Sequence, residues 1–369
     1  MVMQQQRESA TSIPKPSVGE PAPWFSAATG SNTRETLAFD ELAGRYILLF
    51  FFGTAARPEV AEVLAALGRR PDLLDHKRAL LLGISNDRDD FAKARLRQND
   101  AGHLFLWDSN GFAAEQYGAA ERGPTQIPAA VRPVAFILSP ALQIIEIIPL
   151  TEPSAFVGRV ESRLTALLAE PLAVQNAPVL VVPQVFDRAF CCRLVALYES
   201  NGGREIGLIE NQGKIVERSD PKFRKRFDYY ISDEQTLQEA RALLARRLLP
   251  MVYRAFQFGT TRIERYLVGC YDATIGGYFR PHRDNTAPMV AHRRFAVTIN
   301  LNEGYDGGDL CFPEFHQTYR TAPGDAIIFS CSLLHEVTPV TLNRRYAFLS
   351  FLYDEQSQRI REAYSKKLS

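Results

Sequence analysis

The chain of 369 residues is 46% hydrophobic and 23% charged, which suits two globular domains with cores of their own and excludes a disordered chain. Its 43 Lys and Arg face 42 Asp and Glu, a formal charge of +1, so no bulk field draws nucleic acid or an anionic membrane. Five cysteines without a CxxC, and no apolar run of about 18 residues, set aside a disulfide framework and a spanning helix and point to the reducing cytoplasm.

Residues 1–17 read as a flexible tail; Met1 to Ser12 is polar and has no apolar core that would mark a secretory signal. Tyr46-Ile-Leu-Leu-Phe-Phe-Phe52 is apolar on both faces and predicts a central strand. Gly53-Thr-Ala-Ala-Arg-Pro-Glu59 breaks it, and Val60 to Leu67 has helical character. Leu80 to Ser85 predicts a second buried strand. Pro133 to Leu138 and Gln143 to Ile148, turned at Ser139-Pro140, predict an antiparallel pair. The order of these parts suggests an α/β layer.

Val18-Gly-Glu-Pro-Ala-Pro, the Phe-Phe-Phe strand, Trp107-Asp-Ser-Asn-Gly with Gln116-Tyr-Gly118, and Arg132-Pro133 ahead of a strand occur in an order that resembles the thioredoxin-like redoxin and peroxiredoxin families. The resemblance covers roughly residues 17–168 and implies a thioredoxin-like domain at 18–170, with Pro133 at the family's cis-proline position. It also implies a cysteine at the start of the first helix, where the dipole lowers a thiol pKa. This chain has Ala55, Ala56, Arg57, Pro58 and Glu59 there, and no cysteine before Cys191. The domain is therefore expected to be redox-inactive: a scaffold, a surface for a homodimer, or a recruiting module.

Residues 171–178, bounded by Pro171 and Pro178, form the expected linker to a second domain at 179–369. Val179 to Val182 predicts a strand, Asp187 an N-cap for a helix to about Ser200, and Gln235 to Arg254 a second helix. Strands follow at 264–271, 277–280, 295–301, 308–312, 326–329 and 346–353, separated by Gly, Pro, Asn and Asp turns. This predicts an α+β domain built on a jelly-roll double sheet. The basic stretch from Asn211 to Arg226 reads as a solvated loop, with a mobile lid as the functional alternative.

His282 and Asp284 stand two apart and would share one face of a strand. With His335 they would complete two imidazoles and a carboxylate, the facial triad of non-haem Fe(II) oxygenases. Arg345 follows as a cation able to hold a carboxylate, with Arg344 the competing choice, since adjacent strand residues face opposite ways. His292 and His316 read as surface or turn residues, and Cys311 and Cys331 as packing residues.

Tyr271, Gly277-Tyr278, His282-Arg-Asp284, Gly307-Gly-Asp-Leu-Cys-Phe-Pro313, His335 and Arg345-Tyr-Ala347, in this order, resemble the prolyl 4-hydroxylase branch of the 2-oxoglutarate and Fe(II)-dependent dioxygenases. The resemblance implies Fe(II) on His282, Asp284 and His335, and 2-oxoglutarate held by Arg345 with Tyr271 and Asn300 beside it. It further implies O2 as oxidant, ascorbate as a candidate addition, and succinate and CO2 as co-products. The hydroxylated target would be a peptidyl proline or a small amino-acid-like substrate. A metal-dependent sensing or binding protein, its redoxin-like half recruiting a partner, is the alternative from another class. A thiol peroxidase is disfavoured by Ala55 and Ala56.

Overall fold

The computed structural model describes residues 15–31, 34–96, 102–121, 130–171, 174–205, 208–211, 214–217 and 221–368. Most of the expected tail, two residues of the linker and parts of the basic stretch lie outside them. The chain forms two compact units, Met1–Ala173 and Val174–Ser369.

The first unit has strands β1 (Ser26–Ser31), β2 (Arg34–Ala38), β3 (Tyr46–Gly53), β4 (Ala79–Ser85), β5 (His103–Trp107), β6 (Val134–Leu138) and β7 (Ile144–Pro149). Its helices are α1 (Pro58–Leu67), α2 (Asp89–Ala92), α3 (Phe112–Gln116) and α4 (Pro153–Ala169). One sheet runs β2-β1-β5-β4-β3-β6-β7, with β3, β4 and β5 parallel and β6 and β7 antiparallel. The doubly apolar β3 lies inside this sheet. Its Leu48, Phe50 and Phe52 pack with Val60 and Val63 of α1 and Phe156 and Val160 of α4. On the other face Phe51 meets Phe25, Tyr117 and Phe136. Each such buried side chain is worth roughly 1.5–3 kcal/mol relative to exposure.

The turn after β3 is braced by a buried aspartate side chain. Fully buried Asp90 accepts hydrogen bonds from the Ala55 N–H at 2.9 Å and the Ser85 hydroxyl at 2.7 Å, and pairs with Arg95 at 2.9 Å. One correction concerns Pro133: its peptide bond is trans. The trans form costs less for an X–Pro bond, and the Pro133 carbonyl accepts from the Leu150 N–H at 2.9 Å.

In the second unit the helices are α5 (Arg188–Asn201), α6 (Glu234–Leu243), α7 (Leu249–Phe256) and α8 (Glu355–Leu368). Asp187 caps α5 by accepting from the Phe190 N–H at 2.9 Å. Between α6 and α7 a π-helical turn spans Leu244–Leu248. Pro250, which has no N–H and would crowd the carbonyl one turn back, accounts for that widening.

The early strands are β8 (Val179–Val182), β9 (Leu208–Asn211), β10 (Lys214–Glu217), β11 (Arg224–Lys225) and β12 (Phe227–Tyr230). Then come β13 (Arg262–Asp272), β14 (Tyr278–His282), β15 (Phe295–Asn300), β16 (Asp306–Gly307), β17 (Leu310–Phe312) and β18 (Gln317–Tyr319). The last are β19 (Ala326–Ser330), β20 (His335–Val337), β21 (Val340–Leu342) and β22 (Arg344–Tyr353). A six-stranded sheet runs β12-β13-β22-β15-β19-β8 and a five-stranded one β11-β14-β20-β17-β18. The helices cover one face of the larger sheet, with Phe190, Leu194, Leu244 and Val252 packed on Val268, Val297 and Phe348. Its other face, with Ala296, Ile327 and Phe329, packs on Leu310 and Phe312 of the smaller sheet. This is the expected double sheet, and its interior positions the site. No helix among the described residues is long and apolar enough to cross a membrane.

Candidate metal centre and anion pocket

β14 and β20 pair so that His282 lies opposite His335. Asp284 sits just past the end of β14, where its N–H donates to the Cys331 carbonyl at 2.9 Å. The three side chains converge: His282 Nε2 lies 3.5 Å from Asp284 Oδ1, His335 Nε2 lies 3.3 Å from Asp284 Oδ2, and one ligand atom of each falls within 4.8 Å of the others.

Each imidazole is held by its other nitrogen. His282 Nδ1 lies 2.8 Å from the Arg280 carbonyl and His335 Nδ1 lies 3.0 Å from the Leu333 carbonyl. A carbonyl only accepts, so each Nδ1 carries the hydrogen and each Nε2 lone pair faces the gap. Burial and the neighbouring His335 ring push the His282 imidazole down to about 4, which keeps it neutral near pH 7. Burial alone would raise the Asp284 carboxyl, but the flanking histidines hold it well below the usual range. Two imidazole nitrogens and a carboxylate oxygen are a donor set for a divalent transition metal with positions left open.

Arg283, between the two ligands, points away from them. It donates to the Ser332 carbonyl and pairs with Glu314 at 2.9 Å. Glu314 also accepts from the Leu334 N–H at 3.4 Å, so this pair ties the β14 end to the segment that carries His335. Outer partners of this kind typically change metal affinity by about ten- to a hundred-fold. Glu314→Gln, which keeps the shape and removes the charge, is expected to weaken Mn(II) binding about ten-fold, read by equilibrium dialysis.

Arg345 lies on β22 opposite Tyr271 of β13. It is only 6% exposed, and among the described residues its guanidinium makes no hydrogen bond or ion pair; it lies 5.4 Å over the Tyr271 ring. An unpaired buried cation costs several kcal/mol, a cost that an anion in the pocket would offset. Arg344 points the other way: its side chain is 50% exposed and pairs with Asp272 at 2.6 Å. Thr298, Asn300, Tyr305 and Gly308 line a small cavity with Arg345. Gly308 has φ +65°, which favours glycine, and a Cβ there would stand 2.7 Å from Val340 Cγ2 and 3.0 Å from Arg345 Cδ. The Asn300 amide is committed to the Asn302 and Thr321 carbonyls, each at 2.8 Å, and accepts from the Tyr305 hydroxyl at 3.1 Å.

His292 lies in a turn, as one of the two readings had it, but not at the surface: it is 2% exposed and its Nε2 lies 2.6 Å from Glu264, which Arg293 also grips at 2.6 Å. The described end of the basic stretch is no free loop. Arg280 donates to the Phe223 and Lys222 carbonyls and Tyr278 to that of Pro221, strapping 221–226 onto β14 as an edge strand. His316 does occupy a turn, with φ +50°.

Burial would raise the Glu264 carboxyl, yet His292 and Arg293 hold it below its ordinary value of 4.5. Its stabilising contribution is then complete above pH 4.5 and is lost as the pH falls below. Urea midpoints of the unmodified protein should drop over that range, and Glu264→Gln should flatten the decline.

Residues 266–353 match the family model described as the 2OG-Fe(II) oxygenase superfamily, and residues 18–147 match that of the AhpC/TSA family. A PKHD-type hydroxylase of Synechococcus sp. (strain JA-2-3B'a(2-13)) is 33% identical over 98 residues, 24% of this chain and 43% of its own. One from Stutzerimonas stutzeri (strain A1501) is 34% identical over 106 residues, 25% and 46%. The chain thus spans less than half the length of these relatives. Among solved structures, a Pseudomonas putida prolyl-4-hydroxylase shares 18% identity over 49% of this chain and 94% of its own, at a TM-score of 0.38. A Mycobacterium tuberculosis peroxidoxin shares 19% over 42% and 97%, at 0.35.

Proposed function

We propose, for a chain that joins an AhpC/TSA-family region at 18–147 to a 2OG-Fe(II) oxygenase-superfamily region at 266–353, that the second unit is a 2-oxoglutarate-dependent hydroxylase. The observation that carries this reading is the convergence of His282, Asp284 and His335 with both Nδ1 atoms already committed to carbonyls. These three residues would hold Fe(II), and Arg345 would take the distal carboxylate of 2-oxoglutarate, with Tyr271 stacked beside it. The metal and its co-substrate supply the activation of O2 toward an unreactive C–H bond.

The chain's own residues supply position and exclusion. Phe279 stacks on the His282 ring at 3.5 Å between centroids, and Phe329 packs 4.6 Å from His335, so apolar rings wall both imidazoles from water. Arg345 fixes the direction in which the co-substrate presents its keto acid end. The target is a carbon of a peptide, such as a prolyl residue, or of a small amino-acid-like molecule. Protein supplied with Fe(II), ascorbate and 2-oxoglutarate should release succinate and consume O2, faster with substrate present. Succinate release that persists without added or bound metal would refute the assignment.

A further inference from the structure

The mouth of the double sheet carries more cations than an uncharged prolyl ring needs. Arg226 lies over Gly269, where a Cβ would stand 3.0 Å from Arg226 Cδ and 3.1 Å from Leu349, so glycine lets this arginine lie flat on the inner face of β13. Two residues from Leu267, the ladder between β13 and β22 slips, and Arg265 there has φ +64°. A bulge re-aims a side chain, and this one sets Arg265 against the Phe351 ring, 5.9 Å away, beside Arg293 at 3.9 Å.

The carboxylates nearby are already taken. Asp228 accepts from Arg226 at 2.6 and 2.8 Å, and Glu264 serves Arg293 and His292. Arg224 reaches only 3.9 Å from Asp228, and Arg265 makes a single 3.3 Å contact with Glu264. Burial and the adjacent Arg226 push Arg224 down to about 10, outweighing the opposite pull of Asp228.

Arg224 and Arg226 border the metal centre, and Arg265 reaches it through a chain of packed rings. Arg224 and Arg226 lie 5.3 and 5.6 Å over Phe279, the ring stacked on His282. Phe351 packs in the cluster containing Phe329, which touches His335. Phe223, 41% exposed, leans 6.0 Å from His282 and marks the solvent side.

We propose that this mouth seats a carboxylate of the substrate itself: the enzyme acts on an acidic target, with Arg224 and Arg265 as the residues that select it. The inference rests on the oxygenase reading of the metal centre, but its test does not require turnover. A fluorescein-labelled Glu-Ala-Pro-Glu-Ala peptide and its Gln-Ala-Pro-Gln-Ala counterpart would be titrated into the full-length protein by anisotropy, with N-acetylglutamate as unlabelled competitor. The Glu peptide should bind about ten-fold tighter or better, and the gap should close near 0.5 M salt. Arg224→Gln and Arg265→Gln should each shrink that gap, whereas Arg345→Met should preserve it, which separates this site from the 2-oxoglutarate pocket. Displacement of the Glu peptide by N-acetylglutamate at a concentration close to the peptide's own dissociation constant would support the carboxylate seat and assign it to a small acid. Equal binding of the two peptides, or a gap indifferent to both glutamine variants, overturns the proposal. A charge-selective mouth on a protein that never releases succinate would refute the oxygenase reading alone.

Discussion

Asp284→Ala should lose Mn(II) binding and succinate release together, each by more than about a hundred-fold. The bound is set by comparison: disturbing an outer partner of a ligand already costs about ten- to a hundred-fold in affinity. Asp284 is closer than that, with one oxygen 3.5 Å from His282 Nε2 and the other 3.3 Å from His335 Nε2. Removing it leaves two neutral imidazoles and no anion, a poor set for a hard divalent ion. The Asp284 backbone, bonded to Cys331, is untouched by the change, so the sheet should persist. Asp284→Asn separates charge from shape: it keeps an oxygen in place, and affinity well below the unmodified protein's would show that the negative charge matters. An Asp284→Ala protein that still binds Mn(II) tightly and turns over would mean the ion sits elsewhere.

How much of this was legible beforehand depends on what each residue's role requires. The buried strand from Tyr46 to Phe52 was readable because six consecutive fully buried side chains leave an unbroken apolar run. His282 and Asp284 were readable as a pair because their spacing is local. Arg345 against Arg344 was not, since register decides it: the pairing Tyr271↔Arg345 turns one arginine inward and leaves the other to Asp272. The burial of His292 depends on Glu264, 28 residues away, and no local pattern announces such a partner. The inward turn of Arg265 depends on a bulge, and the π turn ahead of Pro250 on how a helix absorbs a missing donor. Both are backbone solutions that side-chain periodicity does not record. Pro133 shows the reverse error, a family position carried over without the dithiol chemistry it accompanies.

Arg345→Met should raise the 2-oxoglutarate dissociation constant by about two to four orders of magnitude, the equivalent of the roughly 3–5 kcal/mol lost when one partner of a buried ion pair is removed. The same substitution should leave the ligand-free protein as stable as before or more so. Among the described residues the buried guanidinium has no counter-ion, and replacing an uncompensated buried charge by a flexible apolar chain of similar length removes a desolvation cost. The two effects have opposite signs in one experiment. Thermal melting without ligand should show an unchanged or higher midpoint for the variant. Adding 2-oxoglutarate at a hundred times its dissociation constant should stabilise the unmodified protein by about 2.7 kcal/mol and the variant hardly at all. Arg344→Met should behave differently, because Arg344 is half exposed and already paired with Asp272, so its loss should leave 2-oxoglutarate affinity nearly unchanged. If instead Arg344→Met abolished the ligand-induced stabilisation and Arg345→Met did not, the clamp would belong to the outer face of β22, and the buried guanidinium would need another explanation.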